Sequence, residues 1–435
     1  MAGAGLTTTC CIVGGGPAGM MLGYLLALKG VPVTVLEKHN DFFRDFRGDT
    51  VHPSTLELFS ELGLLDKLLQ LPHEQLTSVH GVFGDFPFEA ARFRYLPVRC
   101  RFVALMPQWD FLNFLSAEAH TLPDFDLRLG YEATGLQFED GRVVGVEVRT
   151  PDGSSSIRSK LVVGCDGRHS VTRKAGQLEL IESGVPIDVL WFRISRREDD
   201  PNELFGNVNY GKVLVLINRR DYFQAGLIVE KGSFDAIRQR GLEDFRRTIR
   251  MIAPYLGERV EELRDWDQVK LLTVRIDRLK QWHRPGLLCI GDAAHAMSPA
   301  GGVGINLAIQ DAVAAANILS GALRGGLPVD GLLGRVQCRR ELPTRVTQFA
   351  QKGAHRIFST IFRQPGPATP PWQLKAAVRV PGIPDLFGRF IGMGVRPEHI
   401  AKPRNVRKKL LVIGAAAAVA IAVAIAGRRR LAASW

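Results

Sequence analysis

Two stretches of this 435-residue chain carry the residue types that hold a phosphorylated or anionic cofactor. The first is "CCIVGGGPAG", where an apolar run enters Gly14, Gly16 and Gly19 at the spacing G-x-G-x-x-G. Gly14 permits a tight turn, Gly16 lets backbone N–H groups approach a pyrophosphate, and Gly19 lets the next helix pack close to the strand. The second, "GLLCIGDAAHAMSPAGGVGINLAIQDA", spans residues 286–312. Its apolar run ends in Gly291-Asp292, followed by Pro299, glycines at 301, 302 and 304, and a small-residue helix. A helix N-terminus offers free N–H groups to negative charge. One chain thus carries two turns of a kind that usually occurs once.

The elements around the first turn complete a βαβ unit. Pro17 and Ala18 open a small-residue helix, "AGMMLGYLLALKG", and the next strand, "VPVTVLEK", ends in Glu37 and Lys38. Glu37, eighteen residues past Gly19, can accept hydrogen bonds from a ribose diol. A third stretch, "SKLVVGCDGRHSVTR", reads as a strand ending at Asp166-Gly167, with Ser170 and Arg173 at helix-start spacing. Alone it is a strand, a turn and a capped helix. Its place between the other two, at intervals of about 150 and 125 residues, is what informs. Residues 175–280 are β-rich, with alternating segments such as "IDVLWFRISR" and "GKVLVLINRRDYFQAGLIVEKG".

Composition bounds the class. Apolar content of 46% and charged content of 23% are ordinary for a globular protein. Six scattered cysteines without Cys-x-x-Cys spacing argue against zinc or a disulfide framework and fit a reducing compartment. The N-terminus has no basic n-region or signal-peptide core. The net charge of +12 suggests nucleic acid, but eight of the basic residues lie in 401–435, which contains no acid, leaving only +4 elsewhere. With no nucleic-acid motif, we expect no nucleic-acid partner.

The trio "GGGPAG … VVGCDGRHSVTR … GDAAHAMSPAGGVGINLAIQDA" resembles the class A flavoprotein aromatic hydroxylases, the para-hydroxybenzoate hydroxylase superfamily that includes the ubiquinone-biosynthesis hydroxylases. The similarity covers roughly residues 8–350. It implies one elongated FAD, with its pyrophosphate on the first turn and the Gly-Asp segment returning to the same molecule. Asp292 would bind the ribityl and pyrophosphate region. Gly302, Val303, Gly304, Ile305 and Asn306 would aim a helix N-terminus at the flavin ring, with Pro299 close to the reactive face. The resemblance adds Asp166, Gly167 and Gly291 to the cofactor-binding set. It places an arginine of "RDFRGDTVHPSTLELF" near the flavin, Arg47 fitting best and Arg44 competing, and matches Gln108 to a cofactor-bonding glutamine. His295 is given a structural role.

The chemistry implied is reduction of FAD by NAD(P)H, then reaction with O₂ to a flavin hydroperoxide that hydroxylates or epoxidises a substrate. The protein orients the substrate and excludes water. The flavin-proximal candidates are Arg47, Pro299 and Gly304; no metal site and no substrate-activating base are identified. Trp191, Tyr210, Tyr222 and Phe223 could line a pocket, though each also fits ordinary core or surface. The expected fold is α/β, with a Rossmann-like FAD-binding domain of the para-hydroxybenzoate hydroxylase type (1–175 and 281–350). A β-rich substrate domain is interleaved around 75–105 and 176–280, and a helical, Pro/Gly-rich connector spans 351–405.

The C-terminus reads differently. Leu410 to Gly427 are eighteen uncharged residues between basic clusters. As a helix they span about 27 Å, close to the hydrocarbon thickness. The expectation is a single-pass tail anchor holding a cytoplasmic catalytic domain at a membrane; an interfacial or disordered Ala-rich tail is the competing reading. The substrate would be aromatic, or apolar and isoprenoid-like. The sequence sets neither oligomeric state nor tail orientation. The alternatives are an FAD-dependent prenyl-chain reductase, told apart by an anaerobically hydrogenated product, and a non-catalytic flavin-binding membrane protein, against which the intact third motif speaks.

Overall fold

The computed structural model describes residues 6–43, 50–200, 204–219, 221–364 and 366–401. Its first sheet is built on five parallel strands in the order Leu287–Cys289, Gly153–Gly164, Leu6–Val13, Val33–Glu37 and Phe125–Leu129. Where the central strands are buried they read as largely apolar runs, Cys10–Val13, Val33–Leu36, Leu161–Gly164 and Leu287–Cys289, as buried parallel strands do, whereas the edge strand Phe125–Leu129 carries Asp126 and Arg128. Alternate residues of Leu6–Val13 face different layers. Ile12 meets the Pro17–Leu28 helix at Gly19, whereas Cys11 and Val13 join a cluster with Val143, Val146 and Val148 of an antiparallel meander over the other face.

The Pro17–Leu28 helix lies unusually close to this sheet. A Cβ on Gly23 would sit 2.7 Å from Val35 and 2.9 Å from Phe125, so only hydrogen fits there. Each glycine costs a helix about 1 kcal/mol against alanine, offset by the apolar area the approach buries. The Val303–Arg324 helix packs alongside; it is the one helix among the described residues long and apolar enough to cross a membrane. It is a core helix instead, about two thirds buried. The 410–427 segment expected as an anchor lies outside the described residues.

The second sheet has seven strands, ordered Lys270–Leu272, Ile187–Ser195, Tyr222–Glu230, Lys212–Asn218, Leu204–Asn209, Ser78–Phe83 and Phe86–Arg92. It joins strands from the middle of the chain to a hairpin from residues 78–92, through the parallel pairing of Leu204–Asn209 with Ser78–Phe83. Parity separates its faces: Leu190, Phe192 and Ile194 pack under the Leu242–Ile252 helix, while Ile187, Val189 and Trp191 look the other way.

The long helix Asp330–Phe362 runs on past residue 351 into the stretch read as a helical, Pro/Gly-rich connector. Its buried polar stripe Gln348, Gln351 and His355 is hydrogen-bonded into the fold, which holds these turns helical. The described residues up to His399 form one compact unit by their contacts.

Candidate active site

The three motifs follow the carboxyl ends of three neighbouring parallel strands. Val13 is in register with Gly164, and Gly164 with Cys289. Segments about 150 and 125 residues apart in sequence therefore stand side by side at the edge where open α/β sheets bind ligands. At the first turn, Gly14 has φ +107° and a Cβ there would collide with the Cys165 carbonyl. A Cβ on Gly19 would collide with the Gly14 carbonyl. Gly16 differs: it has φ −74°, and nothing lies within 4 Å of where its Cβ would point. Gly14 and Gly19 are glycine for the fold's sake, and Gly16 faces open space at the start of a helix.

Glu37 holds that turn from beneath. Its carboxylate accepts from Gly15 N at 3.0 Å and His39 N at 3.1 Å. Lys38 is exposed beside it. Gln108 is half-buried at the first position of the Gln108–His120 helix, which packs on Pro17–Leu28.

The second motif does more structural work than the sequence reading gave it. The Asp166 carboxylate accepts from Ser170 Oγ (2.6 Å), Thr172 N (3.0 Å) and Thr172 Oγ1 (2.8 Å). With Ser170 accepting from Arg173 N, it caps the Val171–Ala175 helix. Gly167, at φ +77°, faces open space. Arg173, almost fully buried, donates to the carbonyls of Ala293 (3.1 Å) and Arg168 (2.7 Å). Arg168 donates to Asp292 Oδ2 at 3.2 Å and to the Met297 carbonyl at 3.3 Å. Sequence reasoning missed Arg168; its position directly after the Asp-Gly pair was the available signal.

The third motif is locked on every side. Gly291, at φ +59°, fits between Ala18 and Ala308, each 3.2 Å from where its Cβ would be. His295 Nε2 lies 2.5 Å from Asp311 Oδ2, and Arg340 Nε donates to Asp311 Oδ1 at 2.9 Å, all three fully buried. Burial pushes the Asp311 carboxyl up, but the charges and hydrogen bonds of His295 and Arg340 outweigh it and hold the group below its usual range. His295 thus takes the structural place expected of it.

Pro299 to Ile305 stay half-buried, apart from Gly301, which is exposed. Gly301 (φ +80°) and Gly302 (φ +62°) take left-handed conformations, and the Val303–Arg324 helix then begins. Thr50 Oγ1 donates to Gly302 O at 2.9 Å. The Asn306 amide is buried and saturated: it donates to Thr50 O and Gly302 O, and accepts from His52 N and Thr55 Oγ1. Its side chain staples the turn, leaving only its backbone for a cofactor. Arg44 and Arg47 lie outside the described residues; the chain resumes at Thr50.

Two further residues went unnoticed in the sequence. Gln351 accepts from Ser298 N (3.0 Å) and donates to the carbonyls of Ser298 (2.9 Å) and Ala300 (3.0 Å). His355 Nε2 pairs with Ser298 Oγ at 2.9 Å, and burial pushes its imidazole down to about 4. A polar stripe at helical spacing was the signal, readable only once its buried face is known.

This arrangement fits an elongated dinucleotide carrying two separate negative charges. The Pro17–Leu28 and Val303–Arg324 helices both begin at a glycine, with no side-chain cap and no acid in the first turn. Orphan N–H groups at a helix start need a partner, and Gly291 packs against both of these helices, at Ala18 and at Ala308. The Val171–Ala175 helix between them is capped by its own residues.

Comparison with known proteins agrees. The FAD-binding-domain family matches residues 7–350. The chain belongs to that family and is a class A FAD-dependent monooxygenase. It is 31% identical over 373 residues to 6-methylpretetramide 4-monooxygenase from Streptomyces rimosus, covering 82% of this chain and 86% of the relative. It is 26% identical over 381 residues to a rifampicin monooxygenase from Streptomyces venezuelae, covering 82% and 72%. Among solved structures, OxyS anhydrotetracycline hydroxylase from Streptomyces rimosus superposes with a TM-score of 0.71 at 22% identity, covering 91% of this chain and 78% of that one, which shows the shared fold.

In this monooxygenase the four aromatic pocket candidates separate. Phe223 is buried in the cluster under the helices, Tyr210 sits at a hairpin turn with φ +48°, and Tyr222 lies under Arg193. Trp191 lies on the face opposite Phe223, over Gly226, with its Nε1 buried and without a hydrogen-bond partner, and the parity of the Tyr222–Glu230 strand puts Tyr222 on that same face. It packs against the cluster containing Val103 and Leu105, and Leu105 pairs with Thr50, the residue bound to Gly302. A cavity of about 30 Å³ beside Asn306 and Gln310 has room for water but not for an aromatic ring.

Proposed function

We propose that this monooxygenase hydroxylates an apolar aromatic substrate held between the Pro299–Ile305 turn and the Trp191 face of the seven-stranded sheet. The observation that carries the reading is the pair of uncapped helix starts, at Gly16 and Gly302, that two distant motifs bring to one sheet edge. FAD bound there would supply oxygen activation at the expense of NAD(P)H. Gly14, Gly16, Pro17, Ala18 and Gly19 would hold its pyrophosphate, Glu37 and Lys38 its ribose end, and Gln108, Gly167, Gly291 and Asp292 its middle. The backbone of Gly302 to Asn306, with Arg47 and Pro299, would meet the ring. A helix start stabilises the anionic reduced ring by about 0.3–2 kcal/mol.

The residues themselves orient and exclude. Gln351 and His355 fix the turn that walls the site. Trp191, half-buried on that face over Gly226, is the ring an aromatic substrate would pack against. Val215 and Ile217 line the same sheet face with Phe93 beside them, and buried Gln224, paired across from Ile217, adds a polar group. The relatives whose names carry aromatic substrates support this choice over a prenyl chain. The division into a cofactor part (1–175 and 281–350) and a substrate part (75–105 and 176–280) belongs to the same proposal.

The test is NADH and NADPH oxidation by the FAD-loaded protein against phenols, quinol precursors and isoprenoids. Phenol-dependent oxidation with a product 16 mass units heavier supports the reading; a hydrogenated isoprenoid would replace it with the reductase. We further propose that residues 410–427 anchor the chain in a membrane with the catalytic part on the cytoplasmic side. Ala, Val, Ile, Leu and Gly surround that segment, leaving no polar face for interfacial binding. Full-length protein should then need detergent for extraction; release by high salt alone would mean the basic clusters act electrostatically.

A further inference from the structure

Two helices near the end of the described chain turn some of their large apolar residues outward. Ile383–Met393 buries Pro384, Gly388 and Gly392, an i, i+4, i+8 stripe of small residues. A Cβ on Gly388 would collide with the Arg92 carbonyl, so the stripe lies flat on the Phe86–Arg92 strand. Two of its large residues point away, Leu386 at 66% exposed and Phe387 at 53%, while Ile391 and Met393 pack inward. The neighbouring Trp372–Arg379 helix does the same. Trp372 (73% exposed), Ala376, Arg379 and, just past its end, Val380 (50%) are all exposed at i, i+4, i+7 and i+8. Any one of these is ordinary on a surface. Four large apolar side chains on two touching helices, bordered by exposed Arg379 and Arg389, form a patch that calls for a partner.

We propose that this face is a bilayer-binding surface, with Trp372, Val380, Leu386 and Phe387 in the interfacial layer and Arg379 and Arg389 on anionic headgroups. The continuation of the chain identifies the occupant. Past Ala401 come Lys402, Arg404, Arg407, Lys408 and Lys409, then the uncharged run from Leu410. That link is too short to span more than about 30 Å. A run entering lipid would therefore keep the catalytic body within reach of the same bilayer. Tryptophan with arginine beside aliphatic residues is the composition that settles at headgroup depth. The inference rests on the tail-anchor reading for the bilayer's presence and adds a second contact, made by the folded body.

The test uses the full-length chain carrying Cys338→Ser, which removes the exposed thiol. Nitroxides are attached through Trp372→Cys, Phe387→Cys or, as a control, Gln239→Cys on an exposed helix elsewhere. The proteins are reconstituted with phosphatidylcholine–phosphatidylserine vesicles. The labels at 372 and 387 should gain oxygen accessibility and lose accessibility to a water-soluble nickel chelate severalfold, with the control unchanged. Vesicle-bound protein whose labels at 372 and 387 remain aqueous overturns this face and leaves the tail reading standing. Full-length protein that does not associate with vesicles overturns both. Labels covered without vesicles also overturn the proposal: in favour of the chain's own tail if the protection is independent of protein concentration, and of a second copy if it rises with concentration.

Discussion

Arg168 Nε stands 3.2 Å from the Asp292 carboxylate, joining the second and third motifs across 124 residues of sequence. The pair is a quarter to a third exposed, so its direct worth to folding is small, about 0–1 kcal/mol. What it fixes is the orientation of Asp292, which in the proposed function would meet the cofactor. Arg168→Leu should leave the melting temperature within a few degrees of the parent while FAD affinity falls roughly tenfold, equivalent to about 1.4 kcal/mol. Flavin titration followed by fluorescence quenching checks this. Unchanged affinity would reduce the pair to decoration.

Gly16 and Gly19 should part company on substitution. A side chain at Gly16 meets no protein atom within 4 Å, so Gly16→Val should give a folded, colourless protein with near-parent thermal stability. Gly19→Ala collides with the Gly14 carbonyl and should lower stability by about 1–3 kcal/mol as well as flavin content. Visible absorbance and thermal melts on the same preparations separate the two effects. Bound yellow flavin in Gly16→Val would remove the pyrophosphate from this turn.

The hydrogen bonds of Gln351 to Ser298 and Ala300 hold a wall of the proposed site at the third motif, away in sequence from the Gly14–Gly19 turn proposed for the pyrophosphate. Gln351→Leu should therefore retain FAD but release more hydrogen peroxide per NAD(P)H consumed, because a loosened wall admits water. Product and peroxide yields measured together check this; parent-like coupling would contradict it.

His52 and His355 set an acid limit on stability. Burial pushes both imidazoles down to about 4, against an ordinary 6.5. The unfolded chain takes up these protons at higher pH than the folded one. Their contribution is thus complete above pH 6.5 and lost as pH falls toward 4, by at most about 1.4 kcal/mol per pH unit for each histidine. His355→Gln should make the decline shallower over that window. Denaturant midpoints from pH 7 to 4.5 provide the measurement, and an unchanged slope would show that His355 does not contribute.

Much of this was legible in the sequence, and what was not has physical reasons. The Gly14-to-Glu37 unit, the two later motifs and the β-rich middle stand out because strand, turn and helix each impose a local pattern. Partnerships between distant residues do not. Asp166 and Asp292 look alike as Gly-adjacent acids at strand ends, yet one caps a helix and the other meets Arg168. Gln351 and His355 matter only because a neighbouring helix places them under Ser298. Alternation identified strands around Trp191 and Phe223, but only the packing tells the inner face from the helix-covered one.

The most direct measurement is the source of the oxygen in the product. FAD-loaded protein, NAD(P)H and a phenol found to stimulate turnover are incubated under ¹⁸O₂ in ordinary water, and the product is weighed by mass spectrometry. The account predicts one labelled oxygen atom per product molecule, and no product without oxygen. A hydrogenated, unlabelled product formed anaerobically would contradict it.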